Sequence, residues 1–222
     1  MTSRSAHRRA VVALLAGTLL SNAGCSVFLA GGNPDRLPAR RRAPARADAA
    51  RAERPNVSRE MAEAMRALDE RHLMVPVDGV RAARVPDSFN EPRAGGRVHA
   101  AVDILAPKGT PVLAADDGRV IRLRSNAAGG ITIYAVDADE RFIYYYAHLD
   151  HYRDGLAEGM KVAKGEVIGY VGTTGNAPKD TPHLHFQVML HSEGSAARWW
   201  DGPPLDPRPF FRMDGAQRQN ER

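Results

Sequence analysis

Two histidines separated by one residue stand in the segment His183-Leu184-His185-Phe186-Gln187-Val188. Side chains alternate between the two faces of a β-strand, so His183, His185 and Gln187 share one face while the apolar side chains share the other. The apolar face is expected to pack on a core, which leaves the two imidazoles about 7 Å apart at the backbone on the other face. Both can reach one metal site, one histidine as a ligand and the other as a base. The alternative is a solvent-exposed strand face that carries two histidines without chemistry.

A second pair, His99 and Asp103, offers two side chains of types that bind zinc. On a straight strand these positions lie about 13 Å apart, too far to share one ion. They can bind together only if the chain turns between them, which the small residues Ala100 and Ala101 allow. The spacing His-x-x-x-Asp alone also occurs by chance.

A third histidine, His148, follows the aromatic run Tyr144-Tyr145-Tyr146 and Ala147. We expect it at the end of an aromatic strand, where it faces a loop. A single histidine in that setting is usually structural.

The elements that must position these residues are short alternating segments separated by turn residues, a pattern typical of an all-β domain. Helical periodicity is nearly absent after residue 73, which argues against a fold of alternating strands and helices. The predicted strands are 110–115, 119–124, 131–136, 142–147, 167–171 and 183–190.

In combination these segments resemble the lysostaphin-like zinc peptidases, also called LytM-domain proteins. The family signature is His-x-x-x-Asp, then Tyr-x-His-Leu, then His-x-His, and this chain has His99…Asp103, Tyr146-Ala147-His148-Leu149 and His183-Leu184-His185 in that order. The resemblance covers residues 75–207 and includes segments between the motifs, such as 106–112 and 165–176. It implies a compact antiparallel β-sheet or sandwich-like domain with a groove.

The resemblance also implies the chemistry. It makes His99, Asp103 and His185 ligands of one zinc ion, and His148 and His183 catalytic histidines that do not bind the metal. The implied reaction is hydrolysis of stem or cross-link peptides of bacterial peptidoglycan by a zinc-activated water. Arg93 and Arg97 are candidate contacts for substrate carboxylates or the oxyanion, although a salt-bridge role fits them equally. Ala101 stands where glycine is common in the family, and it would be strained if the turn needs a positive φ there.

Other interpretations of the resemblance belong to different functional classes. Some LytM domains lack zinc ligands and act as non-hydrolytic modules that bind peptidoglycan and activate cell-wall amidases. Another interpretation is a peptidoglycan-binding scaffold with a structural zinc. Because all three ligands and both histidines are present here, we favour the enzyme, with an amidase or a regulatory protein as a further partner.

The N-terminus has the pattern of an export signal. Basic residues precede the apolar run 10–20, and Ala23-Gly24-Cys25 resembles the end of a bacterial lipobox, although Asn22 stands where an aliphatic residue is usual. We predict a signal peptide over 1–25, lipidation of Cys25 and a membrane-anchored lipoprotein that faces the periplasm or cell wall. A signal anchor or an unmodified Cys25 are the alternatives.

Composition and charge divide the remainder of the chain into segments. An Arg/Ala/Pro-rich linker is predicted over 26–57, a short helix over 58–72 with Met61, Met65, Leu68 and His72 on one face, the peptidase domain over 73–211 and a flexible tail over 212–222. Residues 1–72 carry 13 Lys/Arg against 7 Asp/Glu, and the other 150 residues carry 18 against 19. The folded part is therefore nearly neutral, which argues against a nucleic-acid-binding domain.

Overall fold

The computed structural model describes residues 59–191 and 202–215. A helix, α1, covers 59–70, and the strands follow it. Their bounds are β1 Leu73–Met74, β2 Pro92–Arg93, β3 Arg97–Val98, β4 Val102–Leu105, β5 Pro111–Leu113, β6 Gly118–Asn126, β7 Gly130–Asp137, β8 Phe142–Tyr152, β9 Lys161–Val162, β10 Val167–Val171, β11 His183–Leu190, β12 Pro204–Leu205 and β13 Phe211–Met213. Two short 3-10 helices cover Ala82–Arg84 and Arg208–Phe210.

One antiparallel sheet of nine strands forms the body of the domain. Its main path runs β12-β11-β8-β7-β6-β9, with β4 on β11, β10 on β8 and β5 on β10. The short strands β1 and β13 form a separate parallel pair, and β2 and β3 form a hairpin. The predicted all-β fold with a large antiparallel sheet is confirmed. The bounds predicted for β10 and β11 agree with the structure, whereas β8 extends five residues past the predicted end at Ala147.

The core lies under the strands that carry the histidines. Leu184, Phe186 and Val188 of β11 are fully buried and pack with Tyr144 and Tyr146 of β8. Full burial of one such apolar side chain contributes about 1.5–3 kcal/mol. This packing sets which face of β11 points outward, and that face is the one that carries His183 and His185.

Helix α1 packs on the same core through a stripe that matches the predicted one in part, since Met61 and Leu68 contact the core as expected. Ala64 and Leu68 are buried, whereas Met65 is 46% exposed. Just after the helix, Arg71 Nη2 lies 2.5 Å from Oδ2 of the buried Asp137. None of the described helix residues lines the groove that holds the histidines.

The end of the domain also differs from the sequence expectation. Residues 212–215 were predicted to begin a flexible tail, but Arg212 and Met213 belong to β13, which pairs with β1. The Gly215 N–H donates a hydrogen bond to the Val80 carbonyl. A pairing between two very short strands at opposite ends of a domain leaves no periodic signal in the sequence.

The predictions for the N-terminal segments lie outside the described residues. These are the signal peptide over 1–25, the lipidation of Cys25 and the linker over 26–57. Within 59–191 and 202–215, no helix is long and apolar enough to cross a membrane.

Candidate metal centre and groove

A groove of about 660 Å³ opens beside the edge where β4, β11 and β8 meet. Seven of the side chains named from the sequence line it together: Arg93, Arg97, His99, Asp103, His148, His183 and His185. The structure thus brings residues from distant parts of the chain into one site.

Three donor atoms converge on one point of the groove. Nε2 of His99 lies 3.1 Å from Oδ1 of Asp103 and 3.1 Å from Nδ1 of His185, and the last two atoms are 3.0 Å apart. Four-coordinate zinc with bonds of about 2.0–2.1 Å requires ligand atoms about 3.3 Å apart. The three atoms therefore fit one tetrahedral ion after shifts of a few tenths of an ångström.

A turn and a strand pairing produce this convergence. Ala100 has φ 57°, so the chain bends between His99 and Asp103. Asp103 then enters β4 directly opposite His185 of β11. The positive φ that the sequence suggested for Ala101 lies at Ala100 instead. Ala101 is fully buried, so its small size matters for packing rather than for backbone conformation.

Ser88, which no sequence pattern indicated, holds both ligands of the His99–Asp103 pair. The His99 Nδ1–H donates to the Ser88 carbonyl at 2.8 Å, which turns Nε2 of His99 towards the other two donor atoms. The Asp103 N–H donates to Ser88 Oγ at 3.2 Å. Ser88 is 4% exposed and lies well before His99 in the chain, so no local motif announces it.

Arg93 contacts the outer oxygen of the Asp103 carboxylate. Its Nη2 donates to Oδ2 at 2.9 Å and lies 3.5 Å from Glu91 Oε2. Oδ1 of Asp103 is left to face His99 and His185. Burial opposes the charged form of Asp103, but hydrogen bonds with His185 and His99 outweigh it and hold the pKa of this carboxyl well below its usual range. The carboxylate is therefore ionised, as a metal ligand must be.

His148 and His183 form a pair beside the three donors. Their ring centroids are 5.0 Å apart, and both residues are 7% exposed. The Nδ1–H of His148 donates to the Thr174 carbonyl at 2.9 Å, and that of His183 donates to the Thr181 carbonyl at 2.8 Å. In each ring Nε2 is therefore available for proton transfer in the groove. No sequence signal identifies Thr174 or Thr181, because any residue can supply a carbonyl.

Burial changes the protonation of His148. It lowers the pKa of His148 to about 4, although the hydrogen bond to the Thr174 carbonyl acts in the opposite direction. His148 is therefore neutral at pH 7 and can accept a proton. Burial also lowers the pKa of His185, while its contact with Asp103 acts against that change.

The backbone at His148 is unusual and overturns the expectation that this residue ends a strand. His148 lies inside β8 with φ 62°, a left-handed conformation that costs a non-glycine residue about 1–3 kcal/mol. Ile131 of β7 pairs with Leu149 of β8, and Ile133 pairs with Tyr146. Between these two pairs β8 has two residues where β7 has one. A hydrogen bond of 2.7 Å from the His148 N–H to the Gly129 carbonyl supports this β-bulge. Bulges beside active sites re-aim side chains, and here the bulge aims His148 at His183.

Several known proteins are similar to part of this chain. The family profile "Peptidase family M23" matches residues 97–199. The chain is 34% identical over 121 residues to the glycyl-glycine endopeptidase ALE-1 of Staphylococcus capitis. This alignment covers 54% of this chain and 31% of the relative. It is 33% identical over 131 residues to the peptidoglycan DD-endopeptidase ShyC of Vibrio cholerae. This second alignment covers 57% of this chain and 28% of the relative. The chain thus spans about a third of the length of these curated relatives. A solved structure of LytU is 32% identical with a TM-score of 0.48, covering 57% of this chain and 83% of that one.

Proposed function

Because residues 97–199 match the profile of peptidase family M23, we propose that this chain is a zinc metalloendopeptidase of bacterial peptidoglycan. Its substrates are the stem peptides or cross-links of the wall. The observation that carries the proposal is the convergence of His99, Asp103 and His185 donor atoms within 3.0–3.1 Å of one another, beside His148 and His183.

The donor set fits a catalytic rather than a structural zinc site. Two histidines and one aspartate are three protein ligands, and structural zinc sites usually have four. When bound in such a site, zinc supplies Lewis acidity, which makes water a better nucleophile and polarises a peptide carbonyl. Arg93 and Ser88 keep the Asp103 carboxylate and the His99 ring in place for that ion.

The chain's own proton-transfer groups are His148 and His183. Neutral His148 can accept a proton from the attacking water at Nε2 and later return it to the leaving amine. His183 lies beside it, with Nε2 3.8 Å from Oδ1 of Asp103, and can donate a hydrogen bond to the developing oxyanion when Nε2 carries a proton. Their burial excludes bulk water from both rings, which strengthens these interactions.

No specific observation favours the non-hydrolytic amidase activator, since the described residues include a full set of ligands and both histidines in one groove. The proposal also includes export and anchoring through lipidated Cys25, followed by the linker over 26–57, so that the domain over 73–211 can reach the wall. Mass spectrometry of the membrane-associated protein tests this part. A chain that retains an unmodified Cys25 would refute the lipid anchor.

The test of the activity is digestion of purified sacculi with the full 222-residue chain, followed by mass spectrometry of the muropeptides. We expect new uncross-linked or shortened muropeptides with zinc, none with a chelator, and recovery when zinc is restored. The products identify the scissile bond. Stoichiometric zinc binding without any product, together with stimulation of an added cell-wall amidase, would favour the activator instead.

Paired variants separate the two roles in the site. We expect His185→Ala to lose both bound zinc and activity, because it removes a ligand. His148→Ala should keep zinc and lose turnover by at least about 100-fold, the size of a general acid–base contribution. Normal activity of either variant would contradict the assignment.

A further inference from the structure

The charged side chains that line the groove are unequally paired. Asp103 is the one acid among the described lining residues, and its outer oxygen is taken by Arg93. Arg97, on the same wall, donates from Nε to the Ala94 carbonyl at 3.2 Å. Within the described part of the chain, no carboxylate lies within 4.0 Å of the Arg97 guanidinium.

The hairpin that carries both arginines places them directly opposite each other. Arg93 of β2 pairs with Arg97 of β3 across a tight turn in which Gly95 and Gly96 have φ 77° and 71°. Like charges at facing positions destabilise a two-stranded hairpin. Asp103 and Glu91 compensate this cost on the Arg93 side only. The hairpin therefore presents one uncompensated guanidinium on the wall of the groove.

We infer that Arg97 binds a free carboxylate of the peptide substrate, and that this contact makes the enzyme prefer stem peptides with carboxylates over uncharged peptides. This inference rests on the proposed function. The planar guanidinium matches a carboxylate through two parallel hydrogen bonds, and its bond to Ala94 restrains the side chain in advance. A bound divalent cation adds further positive charge to the same groove.

Two exposed apolar side chains in the groove complement this cation. Val98, next to Arg97, is 54% exposed, and Leu105, directly opposite His183, is 59% exposed. Both line the groove and can contact the short aliphatic side chains of a peptide. Together with Arg97 they select an extended peptide that carries small apolar residues and one carboxylate.

The test compares cross-linked stem-peptide dimers from sacculi in two forms, with free carboxylates and with the carboxylates converted to carboxamides. A capped pentaglycine peptide is the third, uncharged substrate. We expect the full chain loaded with zinc to show at least about 10-fold higher kcat/KM on the free form, mainly through KM. Arg97→Gln should lower kcat/KM about 10-fold on the free form and less than about 2-fold on the carboxamide. The kcat/KM of Arg97→Lys on the free form should lie between those of the wild type and Arg97→Gln, because lysine keeps the charge but lacks the two parallel N–H donors of the guanidinium.

Controls separate this contact from the metal site and from general charge. Arg97→Gln should bind zinc as tightly as the wild type. Arg119→Gln removes a half-buried arginine that pairs with Glu140 outside the groove, and it should leave the preference unchanged. Equal losses on both forms for Arg97→Gln, or indifference of the wild type to amidation, would overturn the inference.

Binding measurements keep the two proposals distinguishable. If the wild type cleaves neither peptide form, the proposed function fails. Isothermal titration calorimetry of the same two dimers with the zinc-loaded wild type and Arg97→Gln then decides the inference alone. A wild-type preference for the carboxylate form that disappears in the variant supports it, and equal affinities overturn it.

Discussion

Ser88→Ala should weaken zinc binding although Ser88 touches no metal ion. The substitution removes Oγ, the acceptor for the Asp103 N–H at 3.2 Å, and keeps the carbonyl that accepts from His99 Nδ1–H at 2.8 Å. It therefore loosens one ligand and leaves the other in place. A buried donor without its partner costs about 1–3 kcal/mol, and the length of this bond places the cost near the lower limit.

The expected loss of zinc affinity is about 10-fold. Changes to outer partners of metal ligands typically cost about 10–100-fold, and only one of the two Ser88 contacts is lost here. A 10-fold change in dissociation constant equals about 1.4 kcal/mol.

The assay is competition for zinc between the full chain and a chromophoric chelator, with thermal unfolding in the presence and absence of zinc as a second measurement. Ser125→Ala is the matched control, since Ser125 is an exposed serine on β6 outside the groove. An affinity of Ser88→Ala within about 2-fold of wild type and Ser125→Ala would refute the view that Ser88 holds Asp103 in position for the ion.

Three further predictions concern His148 and the core beneath it. Burial lowers the pKa of His148 to about 4 from the value of about 6.5 expected in the unfolded chain, so the unfolded chain binds more protons between these pH values. The free energy of unfolding of the metal-free chain, measured with denaturant, should therefore decrease as pH falls from 6.5 to 4. An equally steep decrease in His148→Gln would contradict this. His148→Gly should be about 1 kcal/mol more stable than His148→Ala, because glycine adopts φ 62° without strain. Equal unfolding midpoints of the two variants would show that the backbone at this bulge is not strained. Leu184→Ala should destabilise the domain by about 2–5 kcal/mol in the same assay through a core cavity, and a loss below about 1 kcal/mol would mean that the strand is loosely packed.

Sequence patterns predicted the long elements and the faces of the central strand well. Alternation along 183–190 depends only on the two-residue repeat of a strand, and β11 has the predicted bounds and the predicted buried face. Short pairings were missed, including β4 on β11 and β1 on β13, because segments of two to four residues contain too few side chains to show a period. Only the fold determines which strand lies beside them.

Roles that depend on side-chain type could be proposed from the sequence, whereas roles that depend on backbone groups could not. His99, Asp103, His148, His183 and His185 were identifiable because few residue types bind zinc or transfer protons at neutral pH. The carbonyls that orient their rings belong to residues that the sequence gives no reason to select, since every residue has one.

By itself, the sequence determined the all-β class, the outward face of His183 and His185, and the set of residues able to hold a metal ion. Only the tertiary structure decided that these residues meet in one groove, since that requires the turn at Ala100, the bulge at His148 and the pairing of β4 with β11. It also decided that Asp103 pairs with Arg93, whereas Arg97 has no carboxylate partner among the described residues. The physical reason is that residue type and local periodicity are properties of neighbouring positions, whereas convergence and charge compensation depend on contacts between segments far apart in the chain.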